Sequence, residues 1–100
     1  MNITKKAFID AMTKNRTHFC GTARQLFTKD ELYCKIGYCF DKSNIIEYRT
    51  CEARSNDLVF TGDVHMYFES GMEFYEYSYP KGTVYIAHKE WVTMYYFLEK

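Results

Sequence analysis

VHMYFESGMEFYEYSYPKGTVYIAH, residues 64–88, alternates its side chains with a period of two. Val64, Met66 and Phe68 alternate with His65 and Tyr67. Met72, Phe74 and Glu76 alternate with Glu73, Tyr75 and Tyr77. Val84, Ile86 and His88 alternate with Thr83, Tyr85 and Ala87. A period of two is that of a strand with two unlike faces. Ser70-Gly71 breaks the pattern once. Tyr79-Pro80-Lys81-Gly82 breaks it again, with Pro at the second and Gly at the last position of a turn. Short strands joined by tight turns predict an antiparallel meander.

The pattern extends in both directions. Downstream, Lys89-Glu90 is a turn and Trp91 to Leu98 a last strand. Upstream, Ile45 to Arg54 is rich in β-branched and aromatic residues and predicts a strand. Ser55-Asn56-Asp57 is turn chemistry, Leu58 to Phe60 a short strand, and Thr61-Gly62-Asp63 a further turn. The sheet spans about 44–98 and has about five strands. The sole proline lies in a turn, which leaves the strands uninterrupted.

The first part of the chain changes period. Ile3, Ala7, Phe8, Ala11 and Met12 form one apolar stripe, so Thr4 to Asn15 predicts a helix. Thr4 is its N-cap, and Ile3 with Phe8 fits a hydrophobic staple. His18-Phe19-Cys20 reads as a short strand or a link. Thr22 to Phe27 either extends that link or opens a second helix. Thr28 with Glu31 forms a capping box before a short helix at about 29–36, with Gly37 as its stop. The fold class that follows is α+β: one domain over 1–100, a helical part at about 1–40, and helices covering one face of the carboxy-terminal sheet.

Composition bounds the function. Of 100 residues, 47% are apolar and 26% charged, as in an ordinary globular domain. Ten Tyr, eight Phe and one Trp make the chain aromatic-rich. Net charge is zero, but residues 1–54 hold ten Lys/Arg against six Asp/Glu, and residues 55–100 hold three against seven. A chain that relies on bulk phosphate attraction is basic overall, so generic DNA binding is disfavoured. No apolar run approaches the roughly 18 residues of a membrane span. No secretory leader is visible, so the chain reads as cytoplasmic, and Cys20, Cys34, Cys39 and Cys51 as reduced thiols.

Alternation puts Tyr67, Tyr75, Tyr77 and Tyr85 on the sheet face away from the helices, and Tyr95 on one face of the last strand. Three readings are open for these rings: cross-strand pairs on a solvated face, a contact surface for a protein, or a base-stacking platform. The last lacks interleaved cations, since the second half has only Lys81, Lys89 and Lys100. Tyr67, Glu69, Glu73, Tyr75, Glu76, Tyr77, Tyr85 and Tyr95 are therefore the candidate partner-binding residues. No catalytic residue, cofactor or metal is assigned. His18, Cys20, Cys34 and Cys39 have loose spacing for zinc, and no nucleophile-elbow, P-loop or dinucleotide motif is present. His88-Lys89-Glu90 reads as a solvated turn. The rival to a protein-binding module is a nucleic-acid-binding or regulatory domain using the basic first half: Lys5, Lys6, Lys14, Arg16, Arg24, Lys29 and Lys35.

In size, missing catalytic chemistry, crowded aromatics and acidic second half, the chain resembles the small proteins of phages and mobile elements, among them the anti-CRISPR proteins. That resemblance implies a stoichiometric inhibitor that occupies a surface of a CRISPR effector nuclease. Glu69, Glu73 and Glu76 would then stand in for phosphates.

Overall fold

The computed structural model describes residues 1–23, 34, 37, 47–90 and 92–99. Strand β1 is Asn2–Ile3, helix α1 is Lys5–Lys14 and strand β2 is Thr17–Ala23. Then follow β3 (Cys51–Ala53), β4 (Asp57–Phe60), β5 (Val64–Tyr67), β6 (Glu73–Tyr79), β7 (Gly82–Lys89) and β8 (Val92–Leu98). The expected helix at about 29–36, the rest of the link to Phe27 and the start of the strand at Ile45 lie outside the described residues. Cys34 and Gly37 are described, and both are helical and exposed.

Helix α1 forms where the sequence places it. The Ala7 N–H donates to Thr4 Oγ1 at 3.0 Å, which satisfies one of the orphan donors of the first turn. Phe8 and Met12, one turn apart, are its buried residues, and Ile3 packs against the cluster they join. Asn15 leaves the helical conformation, and its side-chain amide donates to the Ala11 carbonyl at 2.8 Å.

The strands form two antiparallel sheets. The larger has the order β1-β6-β7-β8-β2 and the smaller β3-β4-β5. This corrects the single carboxy-terminal meander. The sheet is not confined to the second half, because β1 and β2 supply both edges of the larger one. The meander itself divides at Ser70-Gly71. Gly71 has φ +81°, a conformation glycine adopts without a Cβ penalty, and β6 leaves this turn paired with β1 and β7 instead of β5. The fold is mixed α+β, with far more strand than helix among the described residues.

Helix α1 connects the two edge strands, so it crosses the face of the larger sheet. Phe8 records the crossing. Its ring lies 4.8 Å from Phe74 on β6, 6.2 Å from Tyr85 on β7 and 5.9 Å from Tyr96 on β8. The smaller sheet covers the same face beside the helix. Leu58, Phe60 and Met66 join Phe8, Met12 and Cys51 in one core cluster. The opposite face carries a second cluster of Val84, Ile86, Tyr95 and Phe97, flanked by Cys20, Tyr48, Tyr75, Tyr77 and Tyr79.

This reverses the expected facing of β7. Val84 and Ile86 lie away from the helix, and Tyr85 lies under it. The two-residue turn Pro80-Lys81 is the cause. It pairs Tyr79 with Gly82, so Tyr77 meets Val84, Tyr75 meets Ile86 and Glu76 meets Tyr85. Odd positions on β6 therefore share a face with even positions on β7. Residues 84–88 of this central strand are all buried, which removes the contrast between faces that alternation presumes.

Candidate functional site: the cleft between the sheets

Residues 47–50 hold the two sheets together along one side. Thr17 and Arg49 exchange backbone hydrogen bonds of 2.9 and 2.8 Å. The Arg49 guanidinium then donates to the Glu47 carboxylate and to the Thr61 carbonyl, tying the chain beside β2 to the β4–β5 turn. Next to this seam the sheets part to form a cleft of about 350 Å³. Phe19, Met94 and Tyr96 line it from the larger sheet, and Phe60, Val64 and Met66 from the smaller. Its floor is an aromatic ladder. Phe19 lies 5.4 Å from Tyr96, and Tyr96 stacks on Phe60 at 5.9 Å with ring planes 7° apart.

Two histidines stand at the mouth. His18 Nδ1 donates to the Glu47 carbonyl at 3.0 Å. A carbonyl only accepts, so Nδ1 carries a proton in this contact. His65 is held from both sides. Its Nδ1 donates to Asp57 Oδ2 at 2.8 Å, and its Nε2 to Asp63 Oδ1 at 2.9 Å. Two carboxylate acceptors require both ring nitrogens to be protonated. The hydrogen bond donated to Asp57, then that donated to Asp63, accordingly raise the His65 pKa above the ordinary imidazole value. The Tyr67 ring stacks on the His65 ring at 5.7 Å.

Both ring nitrogens of His65 are engaged by carboxylates. Among the described residues no serine lines the cleft, and the Cys20 thiol is turned to the His18 carbonyl. Among the described residues no three of His, Cys, Asp and Glu gather as metal ligands. Cys39 lies outside the described residues. Asp57 and Asp63 do come together, but on His65, and Glu69 stands apart from them.

The residues singled out from the sequence scatter. Tyr67 is 63% exposed and lies beside the cleft through His65. Glu69 and Glu73 border a separate hollow at the β1 edge, where Lys5 sits 4.5 Å over the Phe68 ring. Tyr75 and Tyr77 stack at 6.4 Å on the opposite face of the larger sheet and are half-buried. The Tyr75 hydroxyl donates to Glu73, which with burial pushes its pKa to about 12. Tyr85 and Tyr95 are not outward rings, being 7% and 3% exposed. Tyr85 packs under α1, where burial and then neighbouring Glu76 raise its pKa to about 12. Tyr95 belongs to the cluster on the other face. His88 is no solvated turn residue either. It is buried and shares a 2.8 Å hydrogen bond with Thr93. Cys51, the buried thiol of the core, donates to the Met12 carbonyl, and burial raises its pKa to about 11.

Phe19, Val64 and His65 went unselected because each is ordinary in its own strand. Only the pairing of two sheets brings them together. The Asp57, Asp63, His65 set carried a signal, since residues flanking a hairpin turn become cross-strand neighbours. No protein-family model, curated protein or solved structure matches this chain.

Proposed function

We propose that this chain is a non-enzymatic protein-binding module that receives its partner at the cleft between its sheets. The carrying observation is where exposed apolar surface collects. Apart from Met1, the large exposed hydrophobics among the described residues are Phe19 (46%), Val64 (44%) and Tyr67 (63%). Two line the cleft and the third stacks on a residue of its mouth. Apolar side chains held at a concave, partly wet surface are typical anchoring sites of protein interfaces. In its narrower form the proposal is an inhibitor that occupies a functional surface of a host nuclease. The chain's size, its aromatic content and its acidic second half support that form.

Nucleic-acid binding through the basic first half is the rival. Of the six described cations there, three are engaged and Lys6, Lys14 and Arg54 are exposed. Lys5 lies over Phe68, Arg16 pairs with Glu99 at 2.9 Å, and Arg49 is bound to Glu47. Arg24, Lys29 and Lys35 lie outside the described residues. No helix among the described residues is long and apolar enough to cross a membrane.

The test is affinity capture from the native host with three folded baits: the wild type, a Phe19→Ser/Val64→Ser variant and a Tyr75→Ser/Tyr77→Ser variant. A protein retained by the first and third and lost by the second is the expected outcome. Loss on the tyrosine variant alone would move the docking surface to the opposite face. Retention by all three would remove both surfaces from consideration.

A further inference from the structure

The smaller sheet ends at an open edge. Its order is β3-β4-β5, and β3 packs against α1, so β5 is the edge away from the helix. In an antiparallel ladder, residues alternately turn their backbone groups toward the partner strand and away from it. The Phe68 N–H donates to the Asn56 carbonyl at 2.9 Å, which fixes the phase. Met66 and Val64, at alternate positions before Phe68, therefore turn to β4, and His65 and Tyr67 turn away from it. The far side of β4 agrees. Asp57, paired with Tyr67, accepts from the Arg54 N–H at 2.8 Å and so turns toward β3. The N–H and C=O groups of His65 and Tyr67 form an outward row, and among the described residues none of them meets a backbone partner. The other edge strands are short or covered. β1 has two residues, Arg49 pairs with Thr17 at β2, and α1 packs beside β3, where Cys51 donates to the Met12 carbonyl. β5 has no Lys, no Pro and no bulge, the devices that commonly blunt an edge strand, and its Val64 and Tyr67 side chains are exposed.

Resting on the reading that the cleft is the docking site, we infer that the partner protein enters it as an extended strand, paired antiparallel with β5 and prolonging the smaller sheet. The outward N–H and C=O groups of His65 and Tyr67 recognise its backbone. Val64 and Met66 line the cleft from β5, so the partner residues opposite them face Phe19 and Met94 across it. Those are the non-hydrogen-bonded positions of the new ladder, where opposing side chains come closest. The apolar lining selects aliphatic or aromatic residues there. The alternate positions stand beside His65 and Tyr67 and tolerate polar residues. The segment recognised is thus a strand with every second residue apolar, its affinity drawn from main-chain hydrogen bonds and its specificity from alternate side chains. A second copy of this chain fits the edge poorly. The in-phase antiparallel registers of two β5 strands centre on His65, Met66 or Tyr67. The first sets two protonated His65 rings opposite each other. The second sets Asp63 opposite Glu69 of the other copy, and like charges placed so repel. The third overlaps the strands at Tyr67 alone.

Amide hydrogen exchange on the full chain reads the edge directly. His65 and Tyr67 should exchange faster than Met66 and Phe68, and equal protection of all four would close the edge and overturn the inference. The binding probe is a synthetic peptide of alternating Thr and Val, with two relatives N-methylated either on the Thr amides, which face β5, or on the Val amides, which face away. The parent peptide should slow exchange at His65 and Tyr67 and shift the methyl resonances of Met66 and Met94. Methylation on Thr should weaken binding about tenfold or more, and methylation on Val about twofold at most. Tyr67→Pro removes one outward N–H and leaves the β4 ladder intact, as proline at a solvent-facing edge position does. It should lower affinity severalfold beyond Tyr67→Ala, and if it fails to fold, the methylated peptides still decide the matter on the wild type. Equal binding of all three peptides, with Met66 and Met94 shifted, would show docking by side chains alone: strand addition would fall and the cleft would remain the site. If no peptide shifted Met66 or Met94, strand addition would fall, and the Phe19→Ser/Val64→Ser bait would decide the cleft separately. Protection of His65 and Tyr67 that rises with protein concentration, alongside a dimer in sedimentation, would replace the partner strand with a second copy.

Discussion

At the scale of single residues, His65 ties protonation to fold. Asp57 is buried beside it and Asp63 is exposed on its far side. Both carboxylates gain from the imidazolium, so the folded pKa lies above the value of about 6.5 expected in the unfolded chain. The stabilisation this provides is complete below that unfolded value. It is lost as pH rises through the higher folded midpoint, because the neutral ring can donate only one of its two hydrogen bonds. Chemical denaturation should therefore show stability declining across that window in the wild type and staying flatter in Asp57→Asn. Asp57 is the larger cause of the shift, so a proton NMR titration should find the His65 midpoint lowered more by Asp57→Asn than by Asp63→Asn. A wild-type midpoint at or below the ordinary imidazole value would refute the two-carboxylate clamp. Since His65 lies at the mouth of the cleft, the same titration alters the charge that a ligand meets there.

At the scale of elements, α1 is the piece whose sequence and role agree most closely. One cap, one staple and one apolar stripe define it, and Phe8 places it over three strands at once. Phe8→Ala should cost roughly 3–5 kcal/mol, the range for a large aromatic deleted from a core. That is a large share of the roughly 5–15 kcal/mol that holds a domain folded. Thr4→Ala loses only a cap and should cost about 1 kcal/mol. Equilibrium denaturation of the two variants tests this order, and a Phe8→Ala cost near that of Thr4→Ala would mean the crossing carries little of the core energy. The strands from Leu58 onward were legible as strands, since their alternation and turns stand in the sequence, whereas Asn2–Ile3 is too short to show a period and Thr17–Ala23 read equally as a link. Their facing was legible in part. The Tyr79–Gly82 turn fixes odd-with-even pairing between β6 and β7, so it could have placed Tyr85 under the helix, and burial of β7 on both faces hides the contrast that would have corrected it. The division into two sheets was not legible. Ser70-Gly71 reads the same whether it joins paired neighbours or sends the chain to another sheet, and the pairing of β2 with β8 links residues about 75 apart along the chain.

At the scale of the whole molecule, charge separates along the chain and then along the fold. Residues 47–99 hold nine Asp/Glu and four Lys/Arg, a net −5 within a neutral protein. These residues form the whole smaller sheet and three strands of the larger. A protein that uses phosphate contacts gathers unpaired cations on one face and loses affinity steeply with salt. Here Arg16, near the start of β2, is paired with Glu99 at the end of β8, where the edge pairs of the larger sheet end. A mobility-shift assay at low salt should accordingly find no binding to duplex DNA, single-stranded DNA or structured RNA. A shift that disappears with added salt, and that Lys14→Glu or Arg16→Glu weakens without lowering the melting temperature, would reverse this assignment and place function on the helix side of the chain. The contrast is informative because the two readings use different surfaces: a protein partner at the cleft between the sheets, and a phosphate backbone on the cations of the helix side.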